Sequence, residues 1–461
     1  MPDLPLDLIL GATSGRVVGG VPPAVFPGVS NDTRTLASGQ LYVALLGESF
    51  DGHEFVPQAF AKGAGAVLVS RDMGAYGPQL VVEDTLLALG AIAAAYRAGL
   101  NPKVLAITGS IGKTSTKEML AAILEQGWCT HRARANFNNE IGLPLTLLEL
   151  EPRHQAAVLE MAMRGRGQIA YLARLARPQI GIVTNIGVSH LELLGSRDAI
   201  AEAKAELVEA LPADGRAVLN ADDDYFHVLA SRSAAPVLSF GTEEGADVRV
   251  SGIETGEQGG LTFRLSGQLI AADIAMPVTG RHHALNAAAA AAAALAAGAS
   301  PEWVVSGLAG YGGGVMRGQV LPAPGGFTVL DDSYNAAPDS MRAALAMLAD
   351  IPAARRWAVL GDMKELGDAT IEQHHVLGHA VAATGIAGLV TVGELGRYIG
   401  EGAREAGLAT VVETEDNAAA AAALLARVAP GDAVLVKGSR AMQMEAIVNA
   451  LLAREGGGAH G

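Results

Sequence analysis

The residues best suited to chemistry are concentrated in the segment T-G-S-I-G-K-T-S-T-K at residues 108–117. An apolar run with the length of a buried strand precedes it, and apolar residues at helical spacing follow it. Backbone N–H groups at the start of a helix bind phosphate, and the helix dipole favours the negative charge. The segment therefore predicts a nucleotide loop in which Lys113 contacts the β and γ phosphates and Thr114 helps to hold Mg²⁺.

This loop departs from the general pattern G-x-x-x-x-G-K-[ST]. Gly112, Lys113 and Thr114 fit it, but Ile107 occupies the first glycine position, so Gly109 must supply the flexibility. The alternative is an ordinary strand-to-helix turn with a solvated lysine. The predicted strand and helix on either side favour nucleotide binding.

Polar residues stand at the ends of other apolar runs in the same part of the chain. Glu160, Asn185 and Asn220 each close one such run. Ligands bind beyond the carboxyl ends of parallel strands, and Mg²⁺ prefers oxygen ligands. Glu160 is therefore a candidate magnesium ligand, with a solvated carboxylate as the alternative.

The elements that must position these residues fall into three blocks. A chain of 461 residues exceeds a single core and favours about two to four domains. Strands alternate with helices on both sides of the glycine run at residues 312–314, which predicts mostly parallel sheets. We expect an α/β protein with domains at residues 1–102, 103–313 and 314–461.

The composition excludes several classes of protein. With 33 basic and 48 acidic residues, the formal charge of −15 disfavours duplex nucleic acid as a partner. The single cysteine, Cys129, excludes an internal disulfide and fits a reducing cytoplasm. The N-terminus lacks the basic region of a signal peptide. The alanine-rich stretch at residues 286–299 is too short for a membrane span and predicts a tightly packed helix.

A series of motifs, in order along nearly the whole chain, resembles those of the Mur ligase family. They are TGSIGKTS at 108–115, NFNNEIGLPLTLL at 136–148, TNIGVSHLELLGS at 184–196, GRHHALNAAAA at 280–290, DDSYNAAPDSM at 331–341, GDMKELG at 361–367 and VKGSRAM at 436–442. The last three are similar to C-terminal motifs of one branch, which joins D-alanyl-D-alanine to UDP-N-acetylmuramoyl-tripeptide, and the fifth and sixth together are specific to that branch. The D-Y-A-H motif and D-N-P-R-type loop of the preceding ligase are not found.

The resemblance implies a fold, an activity and partners. The three domains would be a small α/β UDP-sugar-binding domain, a central P-loop ATPase-like domain with a mostly parallel sheet, and a C-terminal Rossmann-like domain. The activity would be ATP-dependent amide ligation through an acyl phosphate, with Mg²⁺. The expected substrates are UDP-MurNAc-tripeptide and D-Ala-D-Ala, and we expect a cytoplasmic monomer without a membrane span.

The resemblance also implies roles for particular residues. The catalytic residues would be Lys113, Glu160, His190 and Lys204. The metal ligands would be Thr114, Glu160, His190 and Lys204. Lys204 matches a lysine that CO₂ carbamylates in the family, although a lysine on a helix is normally solvated and a lone histidine normally structural. The phosphate loop would use Gly109, Ser110, Gly112, Lys113, Thr114 and Ser115.

The remaining implied contacts involve nucleotide and substrate. His282 and Asn286 share a helix face that would meet adenine, and a helix cap is the alternative. Arg317 would contact phosphates and Asp332 the ribose or the hinge, with Asp331 competing for that role. Asp32, Thr33, Arg34, Asp51, His53, Asn138 and Asn139 would bind substrate, or form ordinary turns. Three substitutions depart from the family pattern: Ala162 for glycine, Gln168 for glutamate, and Met316 for the glycine before Arg317.

Two other functions compete with this interpretation. A folylpolyglutamate synthase shares the ATPase core, but it normally lacks a separate N-terminal domain such as residues 1–102. A nucleotide-gated binding or scaffold protein would need Lys113 alone, yet Glu160, His190 and Lys204 are also present.

Overall fold

The computed structural model describes residues 3–47, 50–134, 136–189, 191–256 and 260–453. Its strands assemble into separate sheets along the chain, each covered by helices. The α/β class and the three-domain organisation predicted from the sequence are confirmed. The predicted boundaries at residues 102 and 313 fall between elements and stay predictions.

The N-terminal unit is built from short, buried strands. Its sheet has the order β2-β7-β6-β5-β4, parallel except for the β2–β7 pair. The first helix after the sheet begins where the Asp84 carboxylate accepts hydrogen bonds from two backbone N–H groups, the usual N-cap arrangement. The elements are β1 (Leu4–Pro5), α1 (Leu6–Thr13), β2 (Arg16–Val18), β3 (Val25–Phe26), β4 (Val29–Ser30), β5 (Leu41–Val43), α2 (Val56–Ala61), β6 (Ala66–Val69), β7 (Gln79–Val81) and α3 (Thr85–Ala98).

The central unit contains the predicted phosphate loop at the carboxyl end of an inner strand. Its sheet has the order β16-β15-β14-β13-β12-β11-β8-β10-β9. In this spatial order, every neighbouring pair from β9 across to β14 is parallel. Strands β14, β15 and β16 pair antiparallel and extend the sheet. The elements are β8 (Lys103–Thr108), α4 (Lys113–Leu124), β9 (Thr130–Arg132), α5 (Gly142–Leu147), β10 (Ala156–Glu160), α6 (Gln168–Ala176), β11 (Ile180–Val183), α7 (Leu191–Leu194), α8 (Arg197–Glu209), β12 (Arg216–Asn220), α9 (Phe226–Arg232), β13 (Val237–Gly241), β14 (Val248–Gly256), β15 (Gly260–Ser266), β16 (Ala271–Met276), α10 (His282–Ala297) and α11 (Pro301–Ala309).

Helix α10 is the alanine-rich segment singled out in the sequence. The side chains at residues 287–294 are fully buried, because the helix lies between the central sheet and α4. Small side chains allow this close packing on several faces, so the prediction of a tightly packed helix is confirmed. Among the described residues, no helix combines the length and hydrophobicity that crossing a bilayer requires.

The C-terminal unit is a second parallel sheet with one antiparallel edge strand. Its order is β17-β18-β22-β19-β20-β21, and only β17 runs against its neighbour. Helices cover both faces, which produces two apolar clusters. The elements are β17 (Gln319–Pro322), β18 (Thr328–Asp331), α12 (Pro338–Asp350), β19 (Arg356–Gly361), α13 (Thr370–Ala383), β20 (Gly388–Val392), α14 (Gly396–Glu405), β21 (Val411–Thr414), α15 (Asn417–Leu425), β22 (Ala433–Lys437) and α16 (Glu445–Leu452).

The N-terminal unit is packed against the central unit more extensively than the C-terminal unit is. The N-terminal unit shares one continuous apolar core with a face of the central sheet. Two hydrogen bonds reinforce this junction: Tyr96 Oη donates to the Leu150 carbonyl at 2.7 Å, and Arg97 Nε donates to the Ala176 carbonyl at 2.9 Å. The C-terminal unit keeps its own apolar clusters and faces the central unit across a cleft.

Candidate active site

The phosphate loop requires glycine at two positions. Gly109 and Gly112 have φ angles of 148° and 80°, which residues with a Cβ rarely adopt. A Cβ at Gly109 would also collide with Thr184 Oγ1, and one at Gly112 with Asn286 Oδ1. The loop therefore lies with its backbone directly against these two side chains.

The end of strand β11 holds the loop in place. Thr184 Oγ1 donates to the Ile111 carbonyl at 2.6 Å, and Asn185 Oδ1 accepts from the Ile111 N–H at 3.0 Å. Ser110 Oγ accepts from the Gly187 N–H at 2.8 Å. The strand-end Asn185 noted in the sequence thus orients the loop, and it also borders the cavity beside the loop.

Lys113 folds back over the loop that precedes it. Its Nζ donates to the carbonyls of Gly109 at 2.7 Å and Ser110 at 3.1 Å. Burial lowers the pKa of this amine, the charge of Glu160 raises it, and that of Arg317 lowers it. The two carbonyls therefore hold the lysine at the loop, and its contact with nucleotide phosphates stays a prediction.

Glu160 is buried at the end of β10 and brings predicted residues together. One carboxylate oxygen accepts from Thr114 Oγ1 at 2.8 Å and the other from Asn138 Nδ2 at 2.8 Å. Its exposed fraction is 3%. The cluster offers several oxygen atoms beside the phosphate loop, which is the chemistry that Mg²⁺ prefers.

Asn139 has a different local environment from its neighbour Asn138. Its Oδ1 accepts hydrogen bonds from the N–H groups of Ile141 at 3.3 Å and Gly142 at 2.9 Å. This oxygen therefore caps the start of α5, although the residue still borders the cavity. Its predicted contact with substrate stays a prediction.

Lys204 is a buried lysine on α8. Its exposed fraction is 2%, and burial, followed by the nearby charge of Lys113, lowers the pKa of its amine well below the ordinary value. Among the described residues, the structure shows no hydrogen-bond acceptor for this amine. Burial of an ammonium group without an anionic partner is unfavourable. His190, predicted to act beside it, lies outside the described residues.

Helix α10 carries the two side chains, His282 and Asn286, that are predicted to contact adenine. Asn286 is nearly buried, and its carboxamide oxygen lies against Gly112. The rings of His282 and His283 are in contact, with centroids 4.2 Å apart and planes tilted by 37°. Burial lowers the pKa of His282, whereas the charge of Asp332 raises it. His282 and Asn286 both border the cavity beside the phosphate loop.

The C-terminal unit forms the opposite wall through the segment that follows β18. Asp332 is paired with the Lys437 ammonium group, which also donates to the Asn335 carbonyl at 2.9 Å. The Arg317 guanidinium lies 4.1 Å from the centre of the Tyr334 ring, a favourable cation–π geometry. Lys437 and Tyr334 were not predicted as site residues, although each lies in a motif that pointed to this wall.

Asp331 and Asp332, which the sequence leaves as competing candidates, face different surroundings. Asp331 is buried and accepts from the Ser333 N–H and hydroxyl at 3.0 and 2.6 Å. Burial raises the pKa of its carboxyl group. Only Asp332 borders the cavity, so the geometry favours it as the nucleotide contact.

These two walls enclose a cavity of about 760 Å³ between the central and C-terminal units. The volume is typical of a site for a small-molecule ligand. Predicted residues in its lining are Ser110, Gly112, Lys113, Thr114, Ser115, Asn138, Asn139, Glu160, His282, Asn286, Arg317 and Asp332. The cavity thus gathers residues that lie far apart in the sequence.

The predicted substrate residues of the N-terminal unit lie away from this cavity. Arg34 donates from Nε and Nη2 to the Asp32 carboxylate at 3.0 and 2.7 Å. These hydrogen bonds lower the pKa of Asp32. Thr33 Oγ1 donates to Gln58 Oε1 at 2.9 Å. The exposed fraction of the Arg34 side chain is 86%, so its guanidinium remains accessible to an anionic ligand.

The Asp51-Gly52-His53 turn is packed more tightly. Asp51 pairs with Arg71 at 2.6 Å, which is the main reason that its pKa is lowered, and also contacts the His53 ring. His53 is fully buried, and its Nε2 accepts from the Ser70 N–H at 2.9 Å. The histidine therefore joins the turn to the end of β6, and its predicted contact with substrate stays a prediction.

Comparisons with known proteins agree over most of the chain. The Mur ligase middle domain matches residues 107–294, the glutamate ligase domain of Mur ligases matches 316–440, and the Mur ligase family catalytic domain matches 26–128. The chain is 43% identical to a UDP-N-acetylmuramoyl-tripeptide–D-alanyl-D-alanine ligase from Synechocystis sp., with 92% of each chain covered.

Solved structures give the same result. MurF from Acinetobacter baumannii superposes with a TM-score of 0.91 and 34% identity, covering 98% of this chain and 100% of that one. MurF ligase from Thermotoga maritima in complex with ADP has a TM-score of 0.83 and 28% identity, covering 92% and 96%. The chain therefore belongs to the Mur ligase family, in the branch of the UDP-N-acetylmuramoyl-tripeptide–D-alanyl-D-alanine ligases.

Proposed function

We propose that the chain uses ATP to join D-alanyl-D-alanine to UDP-N-acetylmuramoyl-tripeptide, which gives the pentapeptide, ADP and phosphate. The observation that carries this function is the cavity in which Lys113, the Glu160 cluster and the Asp332–Lys437 pair face one another. The family membership identifies the amide ligation, and the geometry supplies a phosphoryl-transfer site for it. ATP use also agrees with the relative solved in complex with ADP.

The chemistry begins with a carboxylate, which is a poor acyl donor because its leaving group would be oxide. The tripeptide carboxylate attacks the γ-phosphorus of ATP, the bond to the β-phosphate oxygen breaks, and ADP leaves. The dipeptide amine then attacks the acyl phosphate carbon, loses a proton and expels inorganic phosphate. Both reacting groups of the first step are anionic, so nearby cations must offset their repulsion. Lys113 supplies such a charge at the loop.

The residues at the phosphate loop fit a magnesium ion. Thr114 Oγ1 and the Glu160 carboxylate provide hard oxygen ligands within one hydrogen bond of each other. Mg²⁺ bound there would neutralise charge on the γ-phosphate and the attacking carboxylate. Asn138 would keep the Glu160 carboxylate oriented, since its amide donates to the second oxygen. His190 is proposed as a further participant from the family motif alone.

Lys204 is proposed to carry a carbamate. Its neutral amine would add to CO₂, forming an N–C bond and releasing one proton, so that the side chain becomes anionic. Two observations support this: the amine is buried, and the neighbouring charge of Lys113 disfavours a second cation. An anion at this position would pair favourably with Lys113 and help to organise the metal.

The walls of the cavity suggest how nucleotide is held. Asn286 and His282 on α10 would meet adenine, Asp332 the ribose, and Arg317 the phosphates after closure. Closure would exclude water from the acyl phosphate, which hydrolyses readily. The accessible Arg34 guanidinium, on the N-terminal unit, would bind the diphosphate of the UDP-sugar. The monomeric state and the cytoplasmic location stay predictions from the sequence.

The test is release of phosphate from ATP and Mg²⁺, with UDP-MurNAc-tripeptide and D-Ala-D-Ala each omitted in turn. We expect release only with both substrates, together with a pentapeptide product by mass spectrometry. Lys113→Met serves as the control against contaminating ATPases and should be inactive. Release that ignores the nucleotide sugar but responds to a folate and glutamate would instead identify a folylpolyglutamate synthase. No release in any combination would leave only a binding protein.

A further inference from the structure

Two histidines and a glutamate meet on the surface of the C-terminal unit. His375 and His379 are four residues apart on α13, so they share one helix face. Glu405 is the last residue of α14, and its Oε2 lies 3.0 Å from His375 Nε2 and 3.7 Å from His379 Nε2. All three ligand atoms lie within 4.8 Å of one another. None of these residues is among those lining the cleft described above.

The two separations between Glu405 and the histidines are close to those between neighbouring ligands of a transition metal. Zinc binds histidine nitrogen and carboxylate oxygen at about 2.0–2.2 Å, so neighbouring ligands of a tetrahedral ion lie roughly 3.3 Å apart. The separations between Glu405 and the two rings, 3.0 and 3.7 Å, lie on either side of that value. Small rotations of the side chains would therefore bring all three atoms to one ion.

The backbone around the cluster is fixed by a close helix crossing. A Cβ at Gly378 would collide with the Ile399 carbonyl, and one at Gly402 would collide with the His375 carbonyl. Helices α13 and α14 therefore touch through their backbones at these glycines. Because the crossing lies within one turn of each ligand, the positions of the ligands are set by packing instead of by flexible loops.

The local charges leave the cluster available for a cation. The neighbouring Arg404 is paired with Glu413 on β21. Among the described residues, Glu405 forms ion pairs only with the two histidines. Its side chain is 60% exposed, and those of His375 and His379 are 33% and 47% exposed. An ion could therefore enter from solvent and retain water in its remaining positions.

We propose that His375, His379 and Glu405 form a binding site for a divalent transition-metal ion, with Zn²⁺ as the expected occupant. Two imidazoles and one carboxylate suit zinc and its neighbours, whereas Mg²⁺ requires oxygen ligands. The site is therefore chemically distinct from the Glu160 cluster. Its ion connects α13 to α14 and stabilises the packing of the C-terminal unit.

The test is calorimetric titration of the full-length chain, without a histidine tag, with Zn²⁺ in excess Mg²⁺. We expect a single Zn²⁺ per chain. His379→Gln and Glu405→Gln should weaken binding at least about tenfold, the loss expected even for an outer-shell partner. His227→Gln, which removes another exposed histidine, should bind as the wild type does.

A second measurement separates metal binding from folding defects. Zn²⁺ should raise the unfolding temperature of the wild type and of His227→Gln, because it binds the folded pair of helices. The same addition should not protect His379→Gln, whose ligase activity should be unchanged. Equal zinc affinity in wild type and His379→Gln, or no zinc binding at all, would overturn the proposal and leave a simple histidine–glutamate ion pair.

Discussion

At the scale of single residues, the Glu160 carboxylate already has both oxygens occupied by donors. Thr114 and Asn138 provide these hydrogen bonds, so the buried charge is satisfied before any ligand arrives. The proposed metal ion would have to compete with the Thr114 hydroxyl for the same oxygen. The two hydrogen bonds hold the Glu160 carboxylate in one orientation. This should reduce the reorganisation needed when nucleotide binds.

Replacing Glu160 by glutamine tests this role. The change keeps the size of the side chain but removes its charge, so kcat for phosphate release should fall by about 100-fold or more. Glu151→Gln, on an exposed pair with Arg153, should keep the wild-type kcat. Wild-type turnover by Glu160→Gln would rule out this carboxylate as the metal ligand.

The adjacent aspartates provide a matched pair of variants. Asp332→Asn weakens the pair with Lys437, and KM for ATP should rise about tenfold, as expected for loss of a charged hydrogen bond worth about 1.5–3 kcal/mol. Asp331→Asn keeps the oxygen that accepts from Ser333 and should leave KM unchanged. The reverse result in steady-state kinetics would assign the nucleotide contact to Asp331.

At the scale of elements, α10 is specified by the size of its side chains more than by an apolar stripe. Its fully buried alanines let it lie against both the sheet and α4, and the same helix presents His282 and Asn286 to the cavity. Packing at this density leaves no room for larger side chains. The helix therefore couples the core of the central unit to the geometry of the nucleotide site.

Enlarging a side chain inside this helix tests the coupling. Ala291→Leu should lower the free energy of unfolding by about 1–3 kcal/mol, the usual cost of overpacking. It should also raise KM for ATP by displacing α10. Ala422→Leu, at an exposed position of α15, is the control and should change neither quantity in urea unfolding and kinetics. A stable Ala291→Leu variant would show that the helix can shift freely.

His131 on β9 makes the stability of the fold depend on pH in the acidic range. Burial lowers its pKa to about 4, with a further contribution from His154, whereas an unfolded histidine has a pKa near 6.5. Between these values the unfolded chain binds the extra proton, so stability falls as the pH decreases from about 6.5 to 4. His131→Gln, which can still donate to the Thr146 carbonyl, should flatten this dependence in urea midpoints. His227→Gln should not, and an unchanged slope in His131→Gln would refute the assignment.

The elements also show which parts of the fold the sequence could predict. Residues 156–160 and 103–107 form near-continuous apolar runs, as expected for strands buried on both faces, and both are inner strands with a neighbour on each side. The antiparallel extension β14–β16 was not predicted. Its alternation of buried and exposed residues, as in Val248–Gly256, was the available signal for half-exposed strands.

The positions of Lys113 and Glu160 beside the cavity were predictable, because each follows or ends a recognisable buried strand, whereas their roles stay predictions. The sequence could not separate Asp331 from Asp332, because which carboxylate points outward depends on how the turn after β18 packs. It also did not predict Lys437 as the partner of Asp332, because that lysine lies on β22 and reaches Asp332 only through strand pairing. The roles of the substrate residues in the N-terminal unit stay predictions.

At the scale of the whole molecule, the two halves of the proposed nucleotide site belong to units with separate cores. The N-terminal and central units share one apolar core, whereas the C-terminal unit has its own clusters. Ligand in the cavity would contact both sides and link them. Binding energy is thus available to hold the C-terminal unit against the rest of the chain.

Hydrogen exchange with a non-hydrolysable ATP analogue and Mg²⁺ tests this linkage. Exchange should slow in residues 109–114 and also in 332–337, by up to about 100-fold at about 100 times Kd. Residues 66–69 of the N-terminal sheet should exchange as before. Lys113→Met should lose the protection on both walls. Protection restricted to residues 109–114 would mean that the C-terminal wall does not hold nucleotide.

The distribution of the cavity residues along the chain has a consequence for biosynthesis. Lys113 and Glu160 leave the ribosome early, while Lys437 belongs to the last strand of the C-terminal sheet. At about 5–20 residues per second, the far wall follows the phosphate loop by a time on the order of tens of seconds. During that interval the nascent chain carries the phosphate loop but lacks the C-terminal wall of the cavity. We expect it to bind ATP weakly and not to consume it, so the cell loses no ATP to unfinished copies.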